Sequence, residues 1–233
     1  MNTAQKDFWT AKGRAVIFIL AATSIACLLF DFYRLCPMRT FTVFIFLPAI
    51  VLLFALAIWD RIFGNKNLWR AVMIGVIAGF LAAIAYDIFR LPFVFAKQLG
   101  IESILPPLNL FKVFPRFGAM ILNQPVEQAS YSLGAHLIGW IYHFSNGIAF
   151  GVMYVALIGD GTKRHWAWGV VMAVCLELGM LLTPYPAFFK IPVTAAFVLV
   201  TLAAHVIFGA TLGKIVQRRS ERIFTPPFPS AGA

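Results

Sequence analysis

Of the 233 residues, 61% are hydrophobic, 15% aromatic and only 12% charged, about half the charged share of an ordinary soluble domain. A water-soluble globule of this length cannot bury so much apolar side chain, so lipid must solvate part of it; disorder, collagen-like sequence and a disulfide-stapled scaffold are excluded too. The formal net charge of +10 does not by itself indicate nucleic acid, because the meaning of Lys and Arg depends on where they sit.

Apolar runs of about 20 residues, the length that crosses a bilayer core, predict six spans. They run from Ala15 to Phe30, Phe41 to Trp59, Leu68 to Leu91, Tyr131 to Ile158, Trp166 to Thr183 and Pro192 to Gly213. Pro37, Pro92 and Pro184 are expected to follow helix ends and Pro192 to occupy a first turn, since proline lacks the N–H that a helix interior uses. The expected fold class is an all-α integral membrane protein, a six-helix transmembrane bundle built as one domain over residues 1–233. It would carry an extracytoplasmic, interfacial insertion at 96–130 and a basic cytoplasmic tail at 214–233.

Lys6, Lys12 and Arg14 precede the first span, which contains Ser24-Ile25-Ala26-Cys27, a loose imitation of a lipoprotein cleavage box. Ser24 is a poor first residue for such a box and the apolar run continues to Phe30, so the segment reads as a retained membrane anchor. Cys27 and Cys175 fall inside spans, Cys36 stands alone, and no Cys-x-x-Cys organises a disulfide or metal site.

Twelve Lys and Arg fall on the side of the N-terminus, the loops at 60–70 and 160–165 and the tail, which holds Lys214, Arg218, Arg219 and Arg222. The other side holds seven, Arg34, Arg39, Arg90, Lys97, Lys112, Arg116 and Lys190, spread through a longer stretch. This asymmetry predicts both termini in the cytoplasm, with a bacterial inner membrane as the setting. The basic balance is then a topology signal. Membrane lipids and a membrane-complex partner are the expected contacts, and nucleic acid is not.

After the first span comes Asp31-Phe-Tyr-Arg34-Leu-Cys-Pro37, and after the third Asp87-Ile-Phe-Arg90-Leu-Pro92. Spacing of three puts each Asp and Arg on one helix face, close enough to pair. Glu177, seven residues before Pro184, is a looser echo without the Arg. Three helical hairpins of common design follow, the second enlarged by the insertion. That insertion mixes Pro106, Pro107, Pro115 and Pro125 with Phe111, Phe114, Phe117, Lys112 and Arg116, which suits a short interfacial helix after Pro107 covering the outer ends of the bundle.

Ionisable residues inside a bilayer are costly and therefore candidates for function. Counted from the ends of their spans, Asp87, His136 and Glu177 lie about 6 to 9 Å deep, and His143 and His205 about 18 to 20 Å deep, at about 1.5 Å per residue. Ser132, Gly139 and Gly147 flank the stripe of His136 and His143, and Gly75, Gly79, Ala82, Ala83 and Tyr86 form another narrow stripe; small residues of this kind admit a neighbouring helix. Thr201, one turn before His205, is placed to orient its ring. Asn146 belongs to the polar cluster of His143 and is expected to bond across helices.

The sequence favours a small membrane subunit or a lipid- or solute-binding bundle, because it lacks soluble domains, nucleotide motifs and catalytic spacings. An alternative is a metal-dependent membrane enzyme with an outer-leaflet site. Asp87, His136 and Glu177 would be its catalytic groups, His136 and Glu177 ligands to zinc or iron, and Arg90, Asn146 and Tyr86 the substrate contacts. Another is a b-type haem or quinone protein, with His143 and His205 approaching haem iron from opposite faces.

Overall fold

The computed structural model describes residues 6–224, with side chains described as far as Glu221. The chain runs through α1 (Ala11–Phe32), α2 (Met38–Phe63), α3 (Asn67–Val94), α4 (Val113–Ile121) and α5 (Leu133–Ile158). It continues with α6 (Ala167–Leu182), the single turn α7 (Tyr185–Phe188) and α8 (Ala195–Phe224). No strand occurs among the described residues. Five helices, α1, α2, α3, α5 and α8, are long and apolar enough to cross a membrane; α6 is equally apolar but has only 16 residues. Phe44, Val51 and Leu182 are 73, 69 and 87% exposed, as lipid-facing side chains would be. The protein is an integral membrane helical bundle.

The helix ends follow from local chemistry, and they move several expected boundaries. Thr10 caps α1 by accepting from the Gly13 N–H at 3.2 Å. The start of α3 is capped from outside the helix, since Asp60 of α2 accepts the Trp69 N–H at 3.0 Å. Ser132 accepts the Ala135 N–H at 3.1 Å and so serves as the cap of α5. Thr194 does the same for α8 through the Phe197 N–H at 3.2 Å, which leaves Pro192 before the helix rather than in its first turn. Pro92 lies inside α3 rather than beyond it: the helix gives up one hydrogen bond near its end, where the loss is small, and stops at Val94. In α2 a π-helical turn over Thr42–Phe46 precedes Pro48, and the wider turn gives room for the proline ring against the preceding carbonyls.

Packing is organised by backbone contact. In the antiparallel pair α3 and α5, Gly75 faces Gly151 and Gly79 faces Gly147, with backbone touching backbone. Gly118 of α4 rests on the Ala135 carbonyl, and Gly139 of α5 on the Phe114 carbonyl. Gly169 of α6 meets Gly209 and Gly213 of α8 in the same way. α1 lies on another side of α5, where the Tyr142 hydroxyl donates to the Ser24 carbonyl at 2.8 Å and the Ser24 hydroxyl bonds Asn146. α2 packs on α1 and on the edge of α3, and α8 packs on α3.

Two further expectations change. Asp31 does not pair with Arg34: its carboxylate accepts the Met38 N–H at 2.5 Å, while Arg34 takes a left-handed turn at φ 56°. The backbone bend between α1 and α2 separates side chains that a continuous helix would have aligned. The helix after Pro107 exists as α4, but it is a buried wedge against α5, with Val113 through Met120 all buried. The basic segment begins as helix, α8 running through Lys214, Arg218 and Arg219; the side chain of Arg222 and residues 225–233 lie outside the described residues.

Candidate functional site

The register set by the glycine contacts carries α3 and α5 past one another so that Asp87 meets His143. His143 Nε2 lies 2.8 Å from Asp87 Oδ2, and Arg90 Nη1 lies 3.3 Å from Oδ1. The other end of the guanidinium donates to the Leu110 carbonyl at 2.6 Å. Its flat face lies over the rings of Tyr86 and Phe111, 4.6 and 5.0 Å from their centroids, a favourable arrangement for a desolvated cation. Phe114 stacks on His143 at 4.2 Å. The loop after α3 and helix α4 therefore wall in the Asp87 group.

A second pair stands opposite. His205 of α8 lies 3.4 Å from a Glu177 oxygen of α6, and its Nδ1 is 2.9 Å from the Thr201 carbonyl. The backbone carbonyl one turn back orients this ring, and the Thr201 hydroxyl instead donates to the Val198 carbonyl at 3.2 Å. Helix geometry explains the exchange, because each carbonyl already points one turn ahead. Tyr86 joins the two pairs, its ring 5.0 Å from His205 and 6.2 Å from His143.

Between the pairs is a cavity of about 370 Å³, lined by Tyr86, Arg90, His143, Asn146, Glu177 and His205 on its polar side, with Asp87 behind His143 and Arg90. Leu28, Phe117, Met180, Ile191, Phe197 and Phe208 supply apolar wall. Cys175 and Gly179, one turn apart on α6, line the cavity and are also exposed on the outside of the bundle. Asp87, Arg90 and Glu177 are buried. Burying such groups offers little stability by itself, while removing one partner leaves a costly uncompensated charge.

The sequence-expected triad of Asp87, His136 and Glu177 is not assembled. His136 is exposed beside the Tyr131 ring, and the carboxylates partner His143 and His205 instead. Counting depth from Leu91, Tyr131, Thr183 and Pro192 treats those span ends as level; α3 in fact runs on to Val94 and α8 starts at Ala195, which shifts Asp87 and His205 relative to their neighbours. Among the described residues no three His, Cys, Asp or Glu side chains gather as a metal ion would need. His143 and His205 do border one space, with the Tyr86 ring beside both. Asn146 bonds across to Ser24 of α1. Sequence reasoning missed Phe114, the Leu110 carbonyl and the exposed lining at Cys175 and Gly179. Only the phenylalanine-rich insertion hinted at the first.

Residues 69–225 match a family described as "Family of unknown function (DUF6789)". The chain belongs to that family. The matched stretch contains every ionisable side chain of the cavity and leaves α1 and α2 outside it. No curated protein matches the chain, and no solved structure does.

Proposed function

We propose that this member of the family binds a small, mostly apolar molecule with a hydrogen-bonding head, a lipid or lipid-like solute, inside the bundle. The observation that carries this is the two carboxylate–imidazole pairs facing one apolar-walled cavity. His205 commits Nδ1 to Thr201 and Glu177, which leaves Nε2 for a ligand. His143 is polarised by Asp87, and an imidazole held by a carboxylate can exchange a proton with a bound hydroxyl, carbonyl or carboxyl group. The exposed lining at Cys175 and Gly179 is the route by which such a molecule would arrive from the lipid phase without crossing water. A metal-centred reaction draws less support, because the donors stand as two pairs.

The topology completes the proposal. α6, about 24 Å long at about 1.5 Å per residue, serves as a short sixth crossing paired with α8, and both termini lie on the more basic, cytoplasmic side of a bacterial inner membrane. The echo of the Asp31, Asp87 and Glu177 segments then marks three hairpins of common origin. An added Cβ at Gly179 meets no atom within 4 Å, so a larger side chain can start from this cavity-lining position, and Gly179→Phe is the variant that tests access there. The test is mass spectrometry of organic extracts from purified wild type and Gly179→Phe. A molecule recovered stoichiometrically from wild type and lost from the variant is expected; the same extract from both would sink the proposal.

A further inference from the structure

A second cleft, of about 510 Å³, lies at the end of the bundle that carries α4 and is lined by Lys112, Arg116, Glu127, Gln128, Tyr131 and Lys190. Its charge is unbalanced, three cations against one carboxylate. The Lys190 ammonium is 2.7 Å from Glu127, and the Glu127 carboxyl is held below its ordinary range chiefly by that hydrogen bond, so it stays ionised and keeps Lys190 engaged. Lys112 has no ion-pair partner among the described residues.

Arg116 is the buried member of the lining. It is only 8% exposed, one guanidinium nitrogen donates to the Phe189 carbonyl, and its buried Nε–H has no partner among the described residues. Among the described residues no carboxylate lies within ion-pair distance of the guanidinium, although Glu127 in the same cleft feels its charge, and a buried guanidinium without a paired carboxylate is an expensive arrangement unless an anion completes it. Phosphate oxygens suit such a donor set, because a guanidinium presents several N–H groups in one plane and flanking ammonium groups add point charge.

From this we infer a phosphate-binding site, separate from the apolar cavity, that takes the phosphate of a lipid headgroup or of a soluble phosphate ester. Arg116 is its fixed donor, Lys112 its free cation, and Lys190 a cation that Glu127 releases when the anion arrives. Leu122 and Leu133, 39 and 75% exposed at the same end, offer acyl chains a place to rest beside it.

The test uses the full-length protein in neutral detergent, titrated by calorimetry with glycerol 3-phosphate, dioctanoyl phosphatidylglycerol and uncharged dioctanoylglycerol. Saturable binding of a phosphate probe and none of dioctanoylglycerol is expected. Lys112→Gln and Lys190→Gln should each weaken binding about fivefold, and Glu127→Gln should tighten it about threefold, as partly exposed charge contacts do. Binding of both phosphate probes identifies the phosphate group as sufficient; binding of the lipid alone identifies a headgroup in the membrane. Arg116→Gln is expected to abolish binding, and the three surface variants keep the outcome decisive if it fails to fold. The inference is overturned if neither phosphate probe saturates, if dioctanoylglycerol binds as well, or if the surface variants leave affinity unchanged.

Discussion

The contact between α3 and α5 is tight enough for a single methyl group to report on it. Alanine at position 75 would place its Cβ 2.8 Å from the Gly151 carbonyl oxygen and 2.8 Å from Val152 Cα. Ordinary contact begins at 3.4 Å, so the helices must part by roughly 0.6 Å there, and neither obstacle is a side chain that can rotate away. Overpacking of this kind costs about 1–3 kcal/mol, against about 1 kcal/mol of helix propensity that alanine regains over glycine, leaving a net loss of about 1 kcal/mol. Gly179, where an added Cβ meets nothing within 4 Å, is the control, since alanine there keeps the gain of about 1 kcal/mol. Two chemically identical substitutions should thus move stability in opposite directions, separated by about 2 kcal/mol or several degrees in melting temperature. Far-UV circular dichroism melts of Gly75→Ala and Gly179→Ala in one detergent supply the measurement. Equal melting points, or Gly75→Ala above Gly179→Ala, would refute the backbone seam.

Asp87→Asn removes the charge that Arg90 faces and should destabilise the bundle by about 3–5 kcal/mol, the usual cost of breaking a buried pair. Adding Arg90→Gln should recover part of that, and strict additivity of the two in the same melts would count against a coupled pair. Burial alone would raise the Asp160 carboxyl, but the hydroxyl and N–H of Thr162, aided by Lys163, hold it below its ordinary value. A lowered folded value means stability that is present above the unfolded aspartate range, about 3.9, and is lost as pH falls through the folded value. The melting-temperature advantage of wild type over Asp160→Asn should therefore shrink between pH 6 and pH 3; a constant difference would contradict the hydrogen-bonding account.

Much of the bundle was legible because hydropathy is a sum over neighbours in the chain. Runs such as Phe41 to Trp59 announce themselves whatever packs against them. The glycine stripes could be read as contact faces for the same reason, since glycine and alanine at helical spacing admit a backbone wherever one arrives. Asp87, Glu177, His143 and His205 could be marked as costly in lipid without knowing their partners. Their pairing could not be read. It depended on the true ends of α3 and α8, which Pro92 and Pro192 disguise, because a proline in the last turn costs one hydrogen bond and need not stop a helix.

Sequence alone determined that this chain enters a membrane, roughly where its helices lie, and which few polar groups the membrane would penalise. Only the tertiary structure decided that those groups form two pairs around one cavity, that His136 stands apart, and that Arg116 is buried in a basic cleft. The physical reason is range. Apolarity and helix propensity act within a few residues, whereas the meeting of Asp87 with His143 across 56 positions depends on how far two helices slide before glycine backbones stop them.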